Sequence, residues 1–182
     1  RWEKAKCTRC NKCVEVCDMK AAGFSKDGEF EIFWHDCKLC RHCVMACPVK
    51  AITIPGRNFA LFQEGLARVA KVVTDHFAAA DVFHVNMLLH ITPYCDCWGM
   101  TTPAIVPDIG VMASKDMAAV DAASLDAIET KNLIPGSIPR PLKLGKGGHL
   151  FEKLHARDPY LQVLALERLG AGMAGYEKVE VK

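Results

Sequence analysis

Cysteine placement constrains this chain more than any other feature. Cys7, Cys10, Cys13 and Cys17 are spaced C-x2-C-x2-C-x3-C, and Cys37, Cys40, Cys43 and Cys47 repeat that spacing, with Pro48 directly after the last. The offset is 30 residues at every cysteine and extends to Lys20-Ala21 against Lys50-Ala51, so the segment reads as an internal duplication. Three thiolates from one tight loop can grip three corners of a cubane while a turn carries the fourth away. A zinc module, the competing reading, usually brings its thiolates as two separated C-x2-C pairs; here they come as three plus one, twice. A secreted disulfide scaffold would spread its cysteines through a small loop-rich chain, whereas eight of these ten fall in residues 1–56 and two in residues 57–182.

The run is similar to that of bacterial ferredoxins, and the resemblance implies two [4Fe–4S] clusters. In two-cluster ferredoxins the fourth cysteine of each run reaches the other cluster. That implies Cys7, Cys10, Cys13 and Cys47 for one cluster, and Cys37, Cys40, Cys43 and Cys17 for the second. Asp18 follows Cys17 where a proline often sits, which bears on the local turn or the cluster potential and removes no ligand. Glu29 to His35 alternates Phe30, Ile32 and Trp34 on one face, and Ala51 to Ile54 follows the second run, so a small antiparallel sheet with short helices is expected.

Composition sets the remaining bounds. The 182 residues are 51% hydrophobic and 24% charged, as in a folded globular chain. No apolar run approaches the roughly 20 residues that span a bilayer, and Arg1-Trp2-Glu3-Lys4 is a charged start with no signal core behind it, so a cytoplasmic protein without a membrane partner is expected. Residues 1–56 carry ten Lys/Arg against seven Asp/Glu and the remainder thirteen against fourteen, too little field for a nucleic-acid partner. Each oxidised cluster with its thiolates adds about −2, so the formal +2 of the chain becomes about −2 when two are loaded. Oxygen-sensitive clusters and thiols suit an anaerobe.

Beyond Pro55-Gly56 the periodicity turns helical, with Phe59, Phe62, Leu66, Val69, Val73 and Phe77 on one stripe and Asn58 as N-cap. Val82 to Ile91 and Ile109 to Ala113 read as buried strands, Lys115 to Thr130 as a helix, residues 131–150 as a long surface loop, Asp158 to Leu169 as a last helix and Tyr176 to Val181 as an edge strand. The fold class expected is α+β: a 2[4Fe–4S] ferredoxin-like module over residues 1–56, then a partial α/β layered portion over residues 57–182. So few strands make a poor closed domain. Apolar residues spread around the last helix (Leu161, Val163, Leu164, Leu166, Leu169) point the same way, to cover by another copy or by absent chain.

Two ferredoxin runs, a helix, then Ile91-Thr92-Pro93-Tyr94-Cys95-Asp96-Cys97, Pro107-Asp108-Ile109-Gly110, Ser114-Lys115-Asp116, Val120-Asp121 and Leu169-Gly170-Ala171-Gly172 before Tyr176-Glu177 resemble domain-of-unknown-function family 362 over the whole chain. The resemblance implies a C-terminal half, since members usually carry a further α/β portion ahead of the ferredoxin insert.

Three residues outside the runs are candidates for chemistry: Cys95, Cys97 and Asp121. Cys95 and Cys97, at i and i+2, project to one side of an extended segment, which suits an extra metal site completed by His90 or Asp96, a redox dithiol, or simple core filling. Asp121 falls in the apolar stripe of its helix and needs a partner, which is a backbone group or a nearby Lys if it is structural, the alternative being a site role. Asp116 suits a helix dipole; His84 and His90 read as core or rim histidines. Gly170 to Gly175 matches G-x-G-x-x-G but follows a helix, so Gly170 reads as a C-cap instead. The stretch from Arg140 to Arg157 (Arg140, Lys143, Lys146, Lys153, Arg157) reads as a solvated basic face able to dock an acidic redox partner. The leading function is an iron–sulfur electron relay to an adjoining site or a redox partner protein. The alternatives are an oxidoreductase acting through Cys95 and Cys97, and a subunit whose clusters are structural.

Overall fold

The computed structural model describes residues 1–55, 57–95, 102–138 and 142–181. The cysteine-rich segment folds as two matching halves. Helix α1 (Lys12–Glu15) and strand β1 (Ala22–Phe24) belong to the first, strand β2 (Phe30–Ile32) follows, and helix α2 (His42–Ala46) sits 30 residues after α1. The duplication reaches the backbone: Arg9 and Leu39 (φ 53° and 55°), Asn11 and Arg41 (59° and 66°), and Lys20 and Lys50 (52° and 51°) are all left-handed. Such torsions cost a non-glycine residue roughly 1–2 kcal/mol each. Three matched pairs persist because the loop must turn its amides inward, as an anion-binding nest does.

β1 and β2 pair antiparallel with Ala22 opposite Ile32 and Phe24 opposite Phe30. The strand expected over 29–35 is thus three residues long. The one expected over 51–54 is a single antiparallel bridge between Trp2 and Ile52, flanked by Glu3 N–H to Ala51 O (2.8 Å) and Thr53 N–H to Arg1 O (2.9 Å). Trp2, Phe24 and Phe30 close over the module's first half with centroids 5.6–6.3 Å apart.

The remaining elements are α3 (Arg57–Thr74), β3 (His84–Leu88), β4 (Gly110–Ser114), α4 (Met117–Ala127), α5 (Leu150–His155) and α6 (Leu161–Arg168). β3 and β4 form an antiparallel ladder, His84 opposite Ser114 and Leu88 opposite Gly110, with α4 on one face. The two strands expected to be buried are therefore half-covered. Asn86, Leu88 and Met112 face α4, while Val85, Met87 (67% exposed) and Val111 face outward. The outward face is the more apolar of the two, since the face toward α4 also carries His84, Asn86 and Ser114.

Helix α3 is amphipathic as expected, yet its large apolar residues do not form the contact. Phe62, Leu66, Val69, Val73 and Phe77 are exposed, and the helix docks on α6 through its alanines: Ala67 is fully buried with Ala118, Ala122, Val163, Ala165 and Leu166. Small side chains let the helix axes approach closely, which a periodicity weighted by side-chain size misses. Asn58 lies inside the first turn of α3 and is no N-cap. A second core joins Ile105, Val106, Ile128, Leu150 and Leu154, so the loop expected through residue 150 leads into a helix, α5, that the sequence reading did not anticipate.

Asp116 caps α4, accepting from Ala119 N–H at 3.0 Å, and its other oxygen accepts from Met173 N–H at 2.9 Å. Helix α6 ends in a left-handed Gly170 (φ 70°), with Gly170 N–H to Glu167 O (3.0 Å) and Ala171 N–H to Leu166 O (2.9 Å), the paired closure of a Schellman turn. A Cβ on Gly172 (φ 143°) would strike the Asp116 carboxylate. The glycine run therefore closes a helix and packs a cap, as expected. Tyr176 to Val181 runs beside β4 without pairing to it, so the expected edge strand is absent among the described residues.

Three substitutions check this packing by urea unfolding. Leu166→Ala should cost about 2–5 kcal/mol, and Asp116→Ala about 1–2 kcal/mol. Val69→Ser, on the exposed stripe, should stay within about 0.5 kcal/mol.

Candidate metal centre

The eight module cysteines fall around two cavities. Cys7, Cys10, Cys13 and Cys47 line one, beneath Trp2, Phe24 and Phe30; Cys17, Cys37, Cys40 and Cys43 line the other, with Asp18, Arg41 and Ile54. Each cavity takes three cysteines from one half and one from the other. Four thiols around one space is the donor number of a cubane cluster. Among the described residues no three His, Cys, Asp or Glu converge closely enough to hold a single ion.

Backbone amides are aimed at the sulfurs in both halves. Ala21 N–H donates to Cys17 Sγ and Ala51 N–H to Cys47 Sγ, each at 3.2 Å. The Lys12 amide holds the exposed Cys10 thiol below its usual range. In the second half the His42 amide does the same for Cys40, but burial outweighs it and the thiol is pushed up. Cys43 is pushed up to about 12 by burial first and then by the neighbouring Cys40, Cys17 and Cys37; burial and then Cys47 and Cys10 raise Cys13. Ligation to a positive iron core reverses that balance by favouring thiolate, so the donor set fits a cluster and makes loading proton-releasing.

The second cavity abuts the rest of the chain through polar contacts. Asp18, standing where a proline was noted as usual, accepts the Tyr94 hydroxyl at 2.6 Å. Burial and that carboxylate hold the phenol well above its ordinary range. His155 Nε2 lies 2.7 Å from Pro93 O, so that nitrogen donates; His155 Nδ1 then accepts from His42 Nε2 at 3.2 Å. Burial, then His155, pushes His42 down to about 4, and burial lowers His155 too, so both rings are neutral near pH 7. Arg41 donates to Ala156 O at 2.7 Å, and the Arg157 guanidinium lies 3.1 Å from the Phe59 ring centroid. Arg157 is thus no part of a solvated basic face, and Arg140 lies outside the described residues. Sequence reasoning gave no role to Tyr94, His42 or His155 and put Arg157 on a solvated face; Tyr94 and His42 could be signalled by position beside a cysteine, and His155 and Arg157 carried no such signal.

Cys95 is exposed, and Tyr94 anchors the preceding residue to the module. Asp96 and Cys97 lie outside the described residues. His90 is exposed, with its N–H donated to Asp108 at 2.7 Å. Asp121 accepts from the Asn86 amide at 2.9 Å, and the same amide reaches Ser124 at 3.0 Å, so its partner is a neutral side chain from β3 in place of the backbone or Lys considered above. It ties α4 to the sheet and does not adjoin either cavity.

Comparison with known proteins bears on the first third of the chain. Residues 6–52 match the family described as the 4Fe-4S dicluster domain. A ferredoxin of Pyrobaculum islandicum is 38% identical over 47 residues, 26% of this chain and 44% of that protein. The Hdr-like menaquinol oxidoreductase iron-sulfur subunit 1 of Archaeoglobus fulgidus is 42% identical over 65 residues, 35% of this chain and 23% of the other. The pyruvate synthase subunit PorD of Methanocaldococcus jannaschii is 37% identical over 51 residues, 28% of this chain and 59% of that one. The chain therefore spans from about a quarter to three fifths of the length of these relatives. No solved structure matches. None of the described helices is long and apolar enough to cross a membrane. With its eight cysteines gathered around two cavities, the segment is an iron–sulfur, ferredoxin-like electron-transfer module for two [4Fe–4S] clusters.

Proposed function

We propose that this chain relays electrons to an adjoining site or a redox partner protein, with Cys7, Cys10, Cys13 and Cys47 holding one cluster and Cys37, Cys40, Cys43 and Cys17 the other. The observation that carries the reading is the grouping of the eight thiols into two crossed sets of four. Each cluster, when bound, takes up and returns one electron. The chain's own part is to seat the donors, aim amides at sulfur, and shield the first cavity under Trp2, Phe24 and Phe30. Two of the relatives are by name subunits of larger oxidoreductases, which supports delivery to a partner.

The Tyr94 to Asp18 bond favours a second reading, an oxidoreductase in which the Cys95/Cys97 pair holds a metal or cycles as a dithiol. It brings the loop carrying Cys95 against the wall of the second cavity. Membership of domain-of-unknown-function family 362 belongs to the same proposal. So does cover for the outer faces of α3 and the β3–β4 ladder by a further α/β portion or a second copy. Their support is the exposed stripe Phe62, Leu66, Val69, Val73 and Phe77, with Val85, Met87 and Val111 on the sheet.

Anaerobically purified protein should contain about eight iron and eight sulfide, with EPR signals that appear on dithionite reduction. Zinc without sulfide would overturn the relay. Cys17→Ser, a change in the first half, should disturb the cluster of the second half and leave about four iron in place. Changing both Cys95 and Cys97 to Ser should abolish turnover or release an additional metal under the second reading; unchanged metal content and reactivity would discard it. Analytical ultracentrifugation should find an assembly larger than the monomer, and a strict monomer binding no hydrophobic dye would contradict the covered faces.

A further inference from the structure

We propose that Arg157, a residue outside the cysteine module, supplies the compensating charge for the second cavity and raises the reduction potential of the cluster held by Cys17, Cys37, Cys40 and Cys43. The inference rests on the cluster assignment above and goes beyond it.

The chain is steered to deliver this side chain. Helix α5 ends at Ala156 in a left-handed turn (φ 53°), and the Ala156 carbonyl is held at 2.7 Å by Arg41, itself part of the second cavity's wall. The next residue is Arg157. Phe59, from the first turn of α3, covers its guanidinium at 3.1 Å from the ring centroid. Its Nε and Nη2 are buried and have no hydrogen-bond partner among the described residues. No carboxylate pairs with it there either, whereas a guanidinium buried for structural reasons is normally paired with an acid. The charges that act on it come from the wall of the second cavity: Cys40 and Cys37, which as thiolates favour its charged form, and Arg41, which opposes it. Burial pushes Arg157 down only to about 10, so it is cationic at neutral pH.

The two cavities differ in a way that calls for such a charge. Cys10 in the first is exposed, and water can stabilise the electron that reduction adds. All four cysteines around the second, Cys17, Cys37, Cys40 and Cys43, are at least partly shielded from solvent. Adding an electron to an already anionic centre in a drier site is disfavoured unless a fixed positive charge lies close by. Arg157 meets that need from the part of the chain that the relay serves.

Redox titration of the anaerobic protein, followed by EPR, tests this directly. In Arg157→Gln one of the two couples should become harder to reduce. At its wild-type midpoint its reduced-to-oxidised ratio should fall by roughly tenfold, ~59 mV for a one-electron couple, while the other couple stays in place. Arg157→Lys should retain at least half of the wild-type effect, and Asp18→Asn, which removes a carboxylate from the same wall, should move the same couple the opposite way. Iron and sulfide intact with neither couple moving, with both moving together, with Lys behaving as Gln, or with Asp18→Asn acting on the other couple, would each overturn the proposal and leave the relay standing. If Arg157→Gln loads no cluster, Phe59→Leu decides: it keeps the charge and admits water to screen it, so a smaller shift in the same direction supports the proposal and an unmoved couple overturns it. Wild-type protein without iron and sulfide would overturn the relay and this inference together.

Discussion

The crossing of one cysteine from each half into the other half's cavity is the constraint on which the first third of this chain depends. Fewer than sixty residues with two three-residue strands and two helices of four and five residues bury a small share of their surface, so packing alone leaves them marginal. With each set of four holding one cluster, as proposed, metal loading would cross-link the halves and the free energy of ligation would become free energy of folding. The left-handed torsions of Asn11 and Arg41 fit that view. They are tolerable because the loop is judged by where it places sulfur and amide, and by little else.

From that loop geometry the asymmetry between the two halves follows. Their backbones match at an offset of 30 residues, yet their surroundings do not. The first cavity is roofed by aromatic side chains from the module itself and leaves Cys10 exposed to water. The second is walled by Asp18 and Arg41, which reach Tyr94 and Ala156 in the rest of the chain. Duplicated halves thus come to sit in different dielectric and charge environments, and potentials of iron–sulfur clusters are set by those two quantities together with hydrogen bonds to sulfur. Asp18 marks the point of divergence: the second run continues with Pro48, which has no side-chain acceptor to offer.

The cysteine module was legible because its signal is covalent chemistry at fixed spacing, which tertiary context cannot override. The C-cap at Gly170 was legible for a related reason, since it depends on neighbours within a few residues, whereas Asp116, read as a residue on the helix dipole, is the N-cap of α4. What failed was inference about which surface is buried. The stripe from Phe62 to Phe77 has helical periodicity, and periodicity reports that a face is apolar without saying whether anything meets it. Ala67 and Ala70 make the contact on α6 because small side chains permit close approach, and alanine carries little weight in a hydrophobic pattern. Arg157 was misplaced by the same logic, since a basic residue in a Gly- and Pro-rich stretch reads as solvated until Phe59 is brought over it from nearly a hundred residues away.

The exposed stripe and the outer face of the β3–β4 ladder have one physical meaning in common. A two-stranded sheet whose outward positions Val85, Met87, Val111 and Ala113 are all apolar is a pattern for cover on that side too, and α4 covers only the other. Helix α3 likewise spends its alanines on α6 and turns its phenylalanines and valines outward. Were these faces designed for water, alternate positions would be polar, as they are on the outer turns of α3 at Glu64, Arg68 and Lys71. The polar residues of α3 occupy one stripe and the uncovered apolar residues another, so the helix has a solvent face, a packed face and a third face that is neither. Electron delivery gives that third face a consequence. A partner or further portion of chain seated on α3 would rest on the helix whose first turn carries Phe59, and through Phe59 on Arg157, the residue after the Ala156 carbonyl that Arg41 of the second cavity holds.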